Sequence, residues 1–156
     1  MTFQLTEPIL LIGLGGVGAS LAEKAKKSLN SDCLMISHDQ KDLTAENSIK
    51  ISTKSVVNPS THLIRGSTLE TSDEIKKNIA NYSTVILISN LAGKAGVGIG
   101  PIVSRICKQE QKNLLSFAIM PFKFEKERIF QSGIALKRIR QDSQCTIVVD
   151  NDALLD

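Results

Sequence analysis

A doubly wound α/β fold with a mainly parallel sheet is what this sequence predicts, on three observations. Apolar runs recur at residues 9–12, 33–37, 85–88, 114–120 and 146–149. Segments of helix formers and charged residues alternate with these runs. A Gly13-x-Gly15-x-x-Gly18 pattern joins the first run to the first helical segment. Unbroken apolar runs mark strands covered on both faces, as in a parallel sheet between helices. Their alternation with helices selects the doubly wound arrangement.

The elements follow in order. Residues 9–12 form a first strand ending in glycine. Residues 16–29 form a helix with Leu21, Ala22, Ala25 and Leu29 on one side and Glu23, Lys24 and Lys27 on the other. Asn30-Ser31-Asp32 ends it, and residues 33–37 complete a right-handed βαβ unit. Residues 38–69 carry weaker signals. Ile49-Lys50-Ile51 alternates and predicts a short strand, and Asn58-Pro59-Ser60 predicts a turn. Thr71-Ser72-Asp73-Glu74 offers cap candidates and an acidic first turn for a helix running to about Ala80. After the strand at 85–88, the glycine-rich residues 90–100 are expected as a loop. It leads into a helix carrying Ile102, Val103, Ile106 and Cys107. A strand at 114–120, a helix at 125–140 and a strand at 146–149 close the chain.

The 156 residues suit one compact domain, and 42% hydrophobic with 22% charged is the balance of an ordinary globular chain. A net charge of +3, from 19 basic and 16 acidic residues, is too small to imply nucleic-acid binding. The basic clusters at 24–27 and 137–140 fall on solvated helix faces. Three cysteines, Cys33, Cys107 and Cys145, show no paired spacing. They point to buried, inert thiols rather than to disulfides or a zinc site. Residues 2–8 lack the basic start of a signal peptide, and no apolar run reaches membrane-spanning length. A cytoplasmic protein is expected.

The first glycine motif follows a strand and opens a helix, the context that gives it meaning. Gly13 permits the tight turn, Gly15 lets the backbone approach a phosphate, and Gly18 lets the helix pack close. The helix dipole and free N–H groups favour an anion there. The same glycines also serve a purely structural strand-to-helix turn. Asp39, just past the second strand, has three readings. It holds a ribose in a dinucleotide enzyme, faces phosphate or metal in other nucleotide folds, or is an exposed loop aspartate.

A second glycine-rich segment, Asn90 to Pro101, again joins a strand end to a helix. A single dinucleotide unit does not require it. Its core is Ala92-Gly93-Lys94-Ala95-Gly96-Val97-Gly98, followed by Ile99-Gly100-Pro101. Further on come Pro121-Phe122-Lys123-Phe124-Glu125, Gly133-Ile134, and Asn151-Asp152-Ala153-Leu154-Leu155. In this order and spacing the chain resembles the Rossmann-like N-terminal nucleotide-binding domain of the tubulin/FtsZ superfamily. That family carries Gly-Gly-Gly-Thr-Gly-(Thr/Ser)-Gly at the second loop and Pro-Phe-x-Phe-Glu after it.

The resemblance implies a guanine-nucleotide site, for GTP or GDP with or without Mg2+. Gly13, Gly15, Gly16, Val17 and Gly18 would bind phosphate, and Gly93, Lys94, Ala95, Gly96, Val97 and Gly98 would face it from the second loop. Glu125 and Arg128 would reach the ribose, and Asn151 the guanine. Ser20 stands where the family has an asparagine near the base. Asn58-Pro59 echoes a phosphate-side loop whose glycines are replaced by Ser55, Val56 and Val57. Ala95 and Val97 replace two family hydroxyls. Each lost hydrogen bond to a charged group removes about 1.5–3 kcal/mol, and two imply an affinity drop of roughly two to four decades. Lys94, absent from the family pattern, is either a point charge on phosphate or a solvent-facing side chain.

The resemblance ends at Asp156, short of the family's long central helix and of the acidic loop that one subunit offers its neighbour to activate water. A single domain over residues 1–156 is therefore expected, with that helix and the C-terminal activation domain absent and no catalytic residue in this chain. Three functions compete. The first is a guanine-nucleotide-binding domain of a divergent FtsZ-like cytoskeletal or cell-division protein, assembling with itself or an FtsZ-like partner. The second is a degenerate scaffold of the same fold that acts through protein partners. The third is an NAD-type module built on the first loop and Asp39.

Overall fold

The structure, a computed structural model, describes residues 5–54, 56–123 and 125–151. Ser55, Phe124 and residues 152–155, which enter the motifs above, lie outside the described residues. Six strands form one parallel sheet: β1 (Ile9–Leu14), β2 (Asp32–Ser37), β3 (Ser48–Lys50), β4 (Thr84–Asn90), β5 (Asn113–Met120) and β6 (Cys145–Asp150). Their order across the sheet is β3-β2-β1-β4-β5-β6, all parallel. The helices are α1 (Gly15–Leu29), α2 (Thr61–Glu70), α3 (Ser72–Ile79), α4 (Lys94–Gln109) and α5 (Lys126–Asp142). The doubly wound expectation holds.

The period-2 geometry of the strands sorts their apolar residues between two layers. Leu10, Ile12 and Leu14 of β1 point to the layer holding Ile64 of α2, Ile75 and Ile79 of α3, and Ile99, Val103 and Ile106 of α4. Leu11 points the other way, into a smaller cluster with Ala22 of α1, Cys33, Ile86 and Ile88. A third cluster, Leu91, Val97, Ala118, Ala135 and Ile139, joins α4 to α5. Each fully buried side chain of this kind stabilises the fold by about 1.5–3 kcal/mol.

Three expectations need correction. The buried stripe of α1 is Gly15, Gly18, Ala19 and Ala22, whereas Leu21 and Leu29 are exposed. Small residues face the sheet because the helix lies close against it: a Cβ on Gly18 would stand 2.7 Å from the Ile88 carbonyl oxygen. Second, residues 61–70 form a helix that the sequence did not announce, capped by Ser60 Oγ accepting from the Leu63 N–H at 3.2 Å. Third, most of the second glycine segment is not a loop. Helix α4 begins at Lys94 and runs through Pro101, whose missing N–H leaves one ladder bond unmade. Its glycines admit neighbours: a Cβ on Gly98 would meet Ile64 of α2 at 2.8 Å.

Cys33 and Cys107 are buried and Cys145 is half-buried, all as free thiols. Burial pushes the Cys107 thiol up to about 12 and raises that of Cys33. Among the described residues, no helix is long and apolar enough to cross a membrane.

Candidate functional site

Strand order reverses between β1 and β4, and ligands of such sheets bind at the carboxyl ends beside that switch. The turns leaving β1 and β4 deliver the N-termini of α1 and α4 side by side. Their N-cap residues are Leu14 and Gly93, neither of which has a side chain able to cap. The early N–H groups of both helices therefore await an acceptor. Gly15 holds φ +70°, a left-handed conformation that favours glycine, and a Cβ there would lie 3.0 Å from the Ala95 Cβ. The two helix starts thus abut through Gly15 and Ala95, which brings the backbone donors of both first turns together. That donor set suits an anionic polyphosphate.

The predicted second wall divides in two. The Lys94, Ala95 and Gly96 N–H groups belong to the first turn of α4 and are free of ladder partners. The Val97 N–H already bonds the Gly93 carbonyl at 3.2 Å. The Gly98 N–H comes later still, inside the helical ladder. Val97 is buried in the α4–α5 cluster. Of the two positions that replace family hydroxyls, Ala95 alone stands against the first loop. Gly13 and Gly18 lie where α1 crosses β1 and β4, and packing demands glycine at both whatever the ligand.

The acid at this cleft is Asp42, which the sequence did not single out. A 3-10 turn at Gln40–Asp42 carries it back from the end of β2, and a Cβ on Gly16 would meet its Oδ1 at 2.8 Å. Ser37 Oγ donates to Asp42 Oδ2 at 2.7 Å and accepts from the Asp39 N–H at 3.1 Å. Asp39 itself caps the 3-10 turn, accepting from the Lys41 N–H at 3.0 Å, and is exposed. It lines a cavity of about 560 Å³ with His38, Lys50, Thr53, Asn58 and Pro59, away from the glycine turn. Burial holds His38 below its ordinary value; Asp39 and Asp42 pull it upward, and Lys94 adds to the fall.

Lys94 is exposed, but its ammonium is not free. Its Nζ donates to Asn58 Oδ1 at 2.5 Å and to the Pro59 carbonyl at 2.8 Å. Asn58 sits in the left-handed region at φ 54°. The ammonium straps the start of α4 to the loop before α2. A second cavity, about 390 Å³, lies on the far side of this strap, between Thr61 and His62 of α2, Gly93 and Val97, and Arg128 and Ser132 of α5.

At the end of β5, Glu125 and Arg128 brace the backbone. Glu125 Oε2 accepts from the Phe122 N–H at 2.8 Å, and Oε1 lies 3.5 Å from Arg128 Nη1. That Nη1 donates to the Ala92 carbonyl at 2.8 Å. Buried Ser132, also unannounced by the sequence, donates to the Leu91 carbonyl. Ser20 is exposed on α1, and Asn151 follows β6 half-buried. The expected residues thus form a row along the carboxyl edge of the sheet, from Asp39 after β2 to Asn151 after β6. Gly15 and Ala95 touch at the two helix starts, and Glu125 touches Arg128. Among the described residues, no three His, Cys, Asp or Glu side chains cluster to hold a metal ion.

The family model "Tubulin/FtsZ family, GTPase domain" matches residues 8–156. The cell division protein FtsZ 2 of Halobacterium salinarum is 26% identical over 162 residues, covering 95% of this chain and 40% of its own length. The chain therefore spans about 40% of the length of that curated relative. Among solved structures, the empty FtsZ dimer of M. jannaschii superposes with a TM-score of 0.84 at 24% identity, over 94% of this chain and 46% of that one. CetZ from Methanosaeta thermophila gives 0.79 at 17% identity, over 94% and 47%. These two likenesses concern the fold.

Proposed function

The chain belongs to the Tubulin/FtsZ family, within its GTPase domain, and on that basis we propose that it binds a guanine nucleotide, GTP or GDP, across the carboxyl ends of β1 and β4. The observation that carries this reading is the abutment of two uncapped helix starts at Gly15 and Ala95. In this reading the amides of Gly15, Gly16 and Val17 and of Lys94, Ala95 and Gly96 hold the phosphates, with Gly93 shaping the turn and Gly18 letting α1 pack close. Gly13 lets the first loop form. Glu125 and Arg128 lie toward the ribose, and Ser20 and Asn151 toward the base. Asp42 would be the carboxylate nearest a nucleotide-bound Mg2+, which would neutralise phosphate charge there. The bound nucleotide supplies a hydrolysable phosphoanhydride. The residues of this chain bind and orient it, and activation of water is assigned to none of them.

Family membership carries the reading further, to a cytoplasmic, filament-related role in cell division or the cytoskeleton, with a second copy or an FtsZ-like protein as partner. Titration calorimetry with magnesium-GTP, GDP and NAD tests the site. Heat with the guanine nucleotides and none with NAD is expected; no heat at millimolar GTP overturns the reading.

A second reading, a scaffold that has lost nucleotide binding, draws support from one observation. Asp42 places a carboxylate against Gly16, where a phosphate would come. Calorimetry decides between the two.

A further inference from the structure

Helices α2, α4 and α5 lie on the same face of the sheet, with α4 in the middle and packed against both others. The inward face of α4 is Ile99, Val103 and Ile106, so its exposed residues floor a groove between α2 and α5. Arg105 is such a residue. On the α2 wall, Thr61 and His62 line the cavity at the upper end of this groove, and Arg65 and Leu69 continue the same stripe at helical spacing. On the α5 wall, Glu127 and Gln131 line the cavity, and Ile134 and Arg138 continue below them.

The charges in this groove are unbalanced. Arg65 is half-buried, and its Nε is out of contact with both solvent and any hydrogen-bond acceptor. Arg138 is close enough across the groove for its charge to act on Arg65; burial first, and then Arg138, push the Arg65 guanidinium down. Among the described residues, none of Arg65, Arg105 and Arg138 has an ion-pair partner, whereas Lys76, Lys108 and Arg128 each have one. A desolvated cation beside a like charge destabilises the fold and persists where an anion complements it. The groove is also apolar in part, with Leu69 54% and Ile134 40% exposed. A free phosphate satisfies the guanidinium forks and leaves those side chains in water. A polypeptide bearing both carboxylates and apolar side chains satisfies both, through bidentate Arg–carboxylate pairs and burial of Leu69 and Ile134.

We propose that the groove between α2 and α5, carrying Arg65, Arg105 and Arg138, is the docking surface for an acidic amphipathic segment of a protein partner. Its upper end adjoins the proposed nucleotide site through Gly93, Lys94 and Arg128, whereas Arg65, Arg105 and Arg138 lie outside that site.

The test uses the full chain and a capped, fluorescein-labelled peptide of Glu, Leu and Ala patterned as an acidic amphipathic helix, read by anisotropy. Binding is expected to weaken about tenfold or more when Arg65→Gln and Arg138→Gln are combined, and to fall with added salt. A scrambled peptide of the same composition, inorganic phosphate and a single-stranded oligonucleotide serve as competitors. Equal competition by any of them, equal binding by the double variant, or no binding by the wild-type chain overturns the proposal. Thermal unfolding supplies a second readout. Arg138→Gln removes a repulsion and is expected to keep or raise Tm; a fall makes Arg138 a structural residue and overturns the assignment.

Discussion

The ammonium of Lys94 donates to Asn58 Oδ1 at 2.5 Å, joining the first residue of α4 to a loop 36 positions earlier in the chain. A cation at a helix N-terminus opposes the helix dipole. Here it is held by two oxygens of the neighbouring loop, Asn58 Oδ1 and the Pro59 carbonyl. Asn58 and Pro59 line the larger of the two cavities described above, and Lys94 lines the smaller.

Removing the strap is expected to free the loop more than it weakens the fold. Both oxygens lie near the surface, so Lys94→Met lowers unfolding stability by no more than about 1 kcal/mol in urea melts. Amide exchange at residues 56 to 58 accelerates, while protection in β1 and β4 stays unchanged. A global loss of protection would make Lys94 part of the fold's core stability.

The position facing Gly15 is expected to tune phosphate affinity at the proposed site. Ala95→Thr places a hydroxyl on the wall of the cleft and is expected to tighten magnesium-GTP binding by roughly one to two decades, the worth of one hydrogen bond to a charged group. Ala95→Val has the same shape without the donor and is expected to bring no gain. Calorimetry on both variants checks this. A similar response from the two would show that shape, not the hydroxyl, matters.

Asp42 is expected to make nucleotide binding at the proposed site depend on a divalent cation. Its carboxylate beside Gly16 repels a phosphate unless Mg2+ stands between them. Asp42→Asn keeps the shape and an oxygen acceptor for Ser37 Oγ and removes the charge. Its GTP affinity in EDTA is expected to exceed that of the parent chain, with the gap narrowing in Mg2+. Parallel Mg2+ titrations with the same slope for both chains would remove Asp42 from the site.

Alkaline pH is expected to destabilise the fold. The Cys107 thiol is raised from 9.0 to about 12 by burial, and Tyr82, donating to Asp32 Oδ2 at 2.6 Å, from 10.0 to about 12. The native chain keeps these protons above pH 9, where the unfolded chain releases them. The unfolded state then binds fewer protons, so stability is full below about pH 9 and falls as pH rises toward 12. Urea midpoints across that range measure the slope, and Cys107→Ala and Tyr82→Phe should each flatten it. Thiol reagents near neutral pH should modify half-buried Cys145 before Cys107.

Legibility differed among elements for physical reasons. Strands β1 and β4 lie in the middle of the sheet and are apolar on both faces, so the runs at 9–12 and 85–88 stand out by themselves. Helix α2 did not stand out. Its buried residues are Ile64, Ser67 and Thr68, a face too mixed to show helical periodicity, and Gly66 interrupts it. Ile64 fits against Gly98 of α4, a contact invisible along the chain. The glycines of 93–98 looked like a loop because glycine is a poor helix former. Packing on α2, α5 and β4 overrides that preference.

The sequence by itself determined the doubly wound fold, the glycine turn at the end of β1 and the resemblance to the tubulin/FtsZ superfamily. Buried parallel strands and strand-to-helix turns leave local signatures in residue type and spacing. Only the tertiary structure decided that Asp42 rather than Asp39 meets the glycine turn, that Lys94 binds Asn58, and that Ile64 fits against Gly98. Each of those pairings joins separate elements whose neighbourhood is set by strand order and helix packing, and no spacing along the chain encodes it.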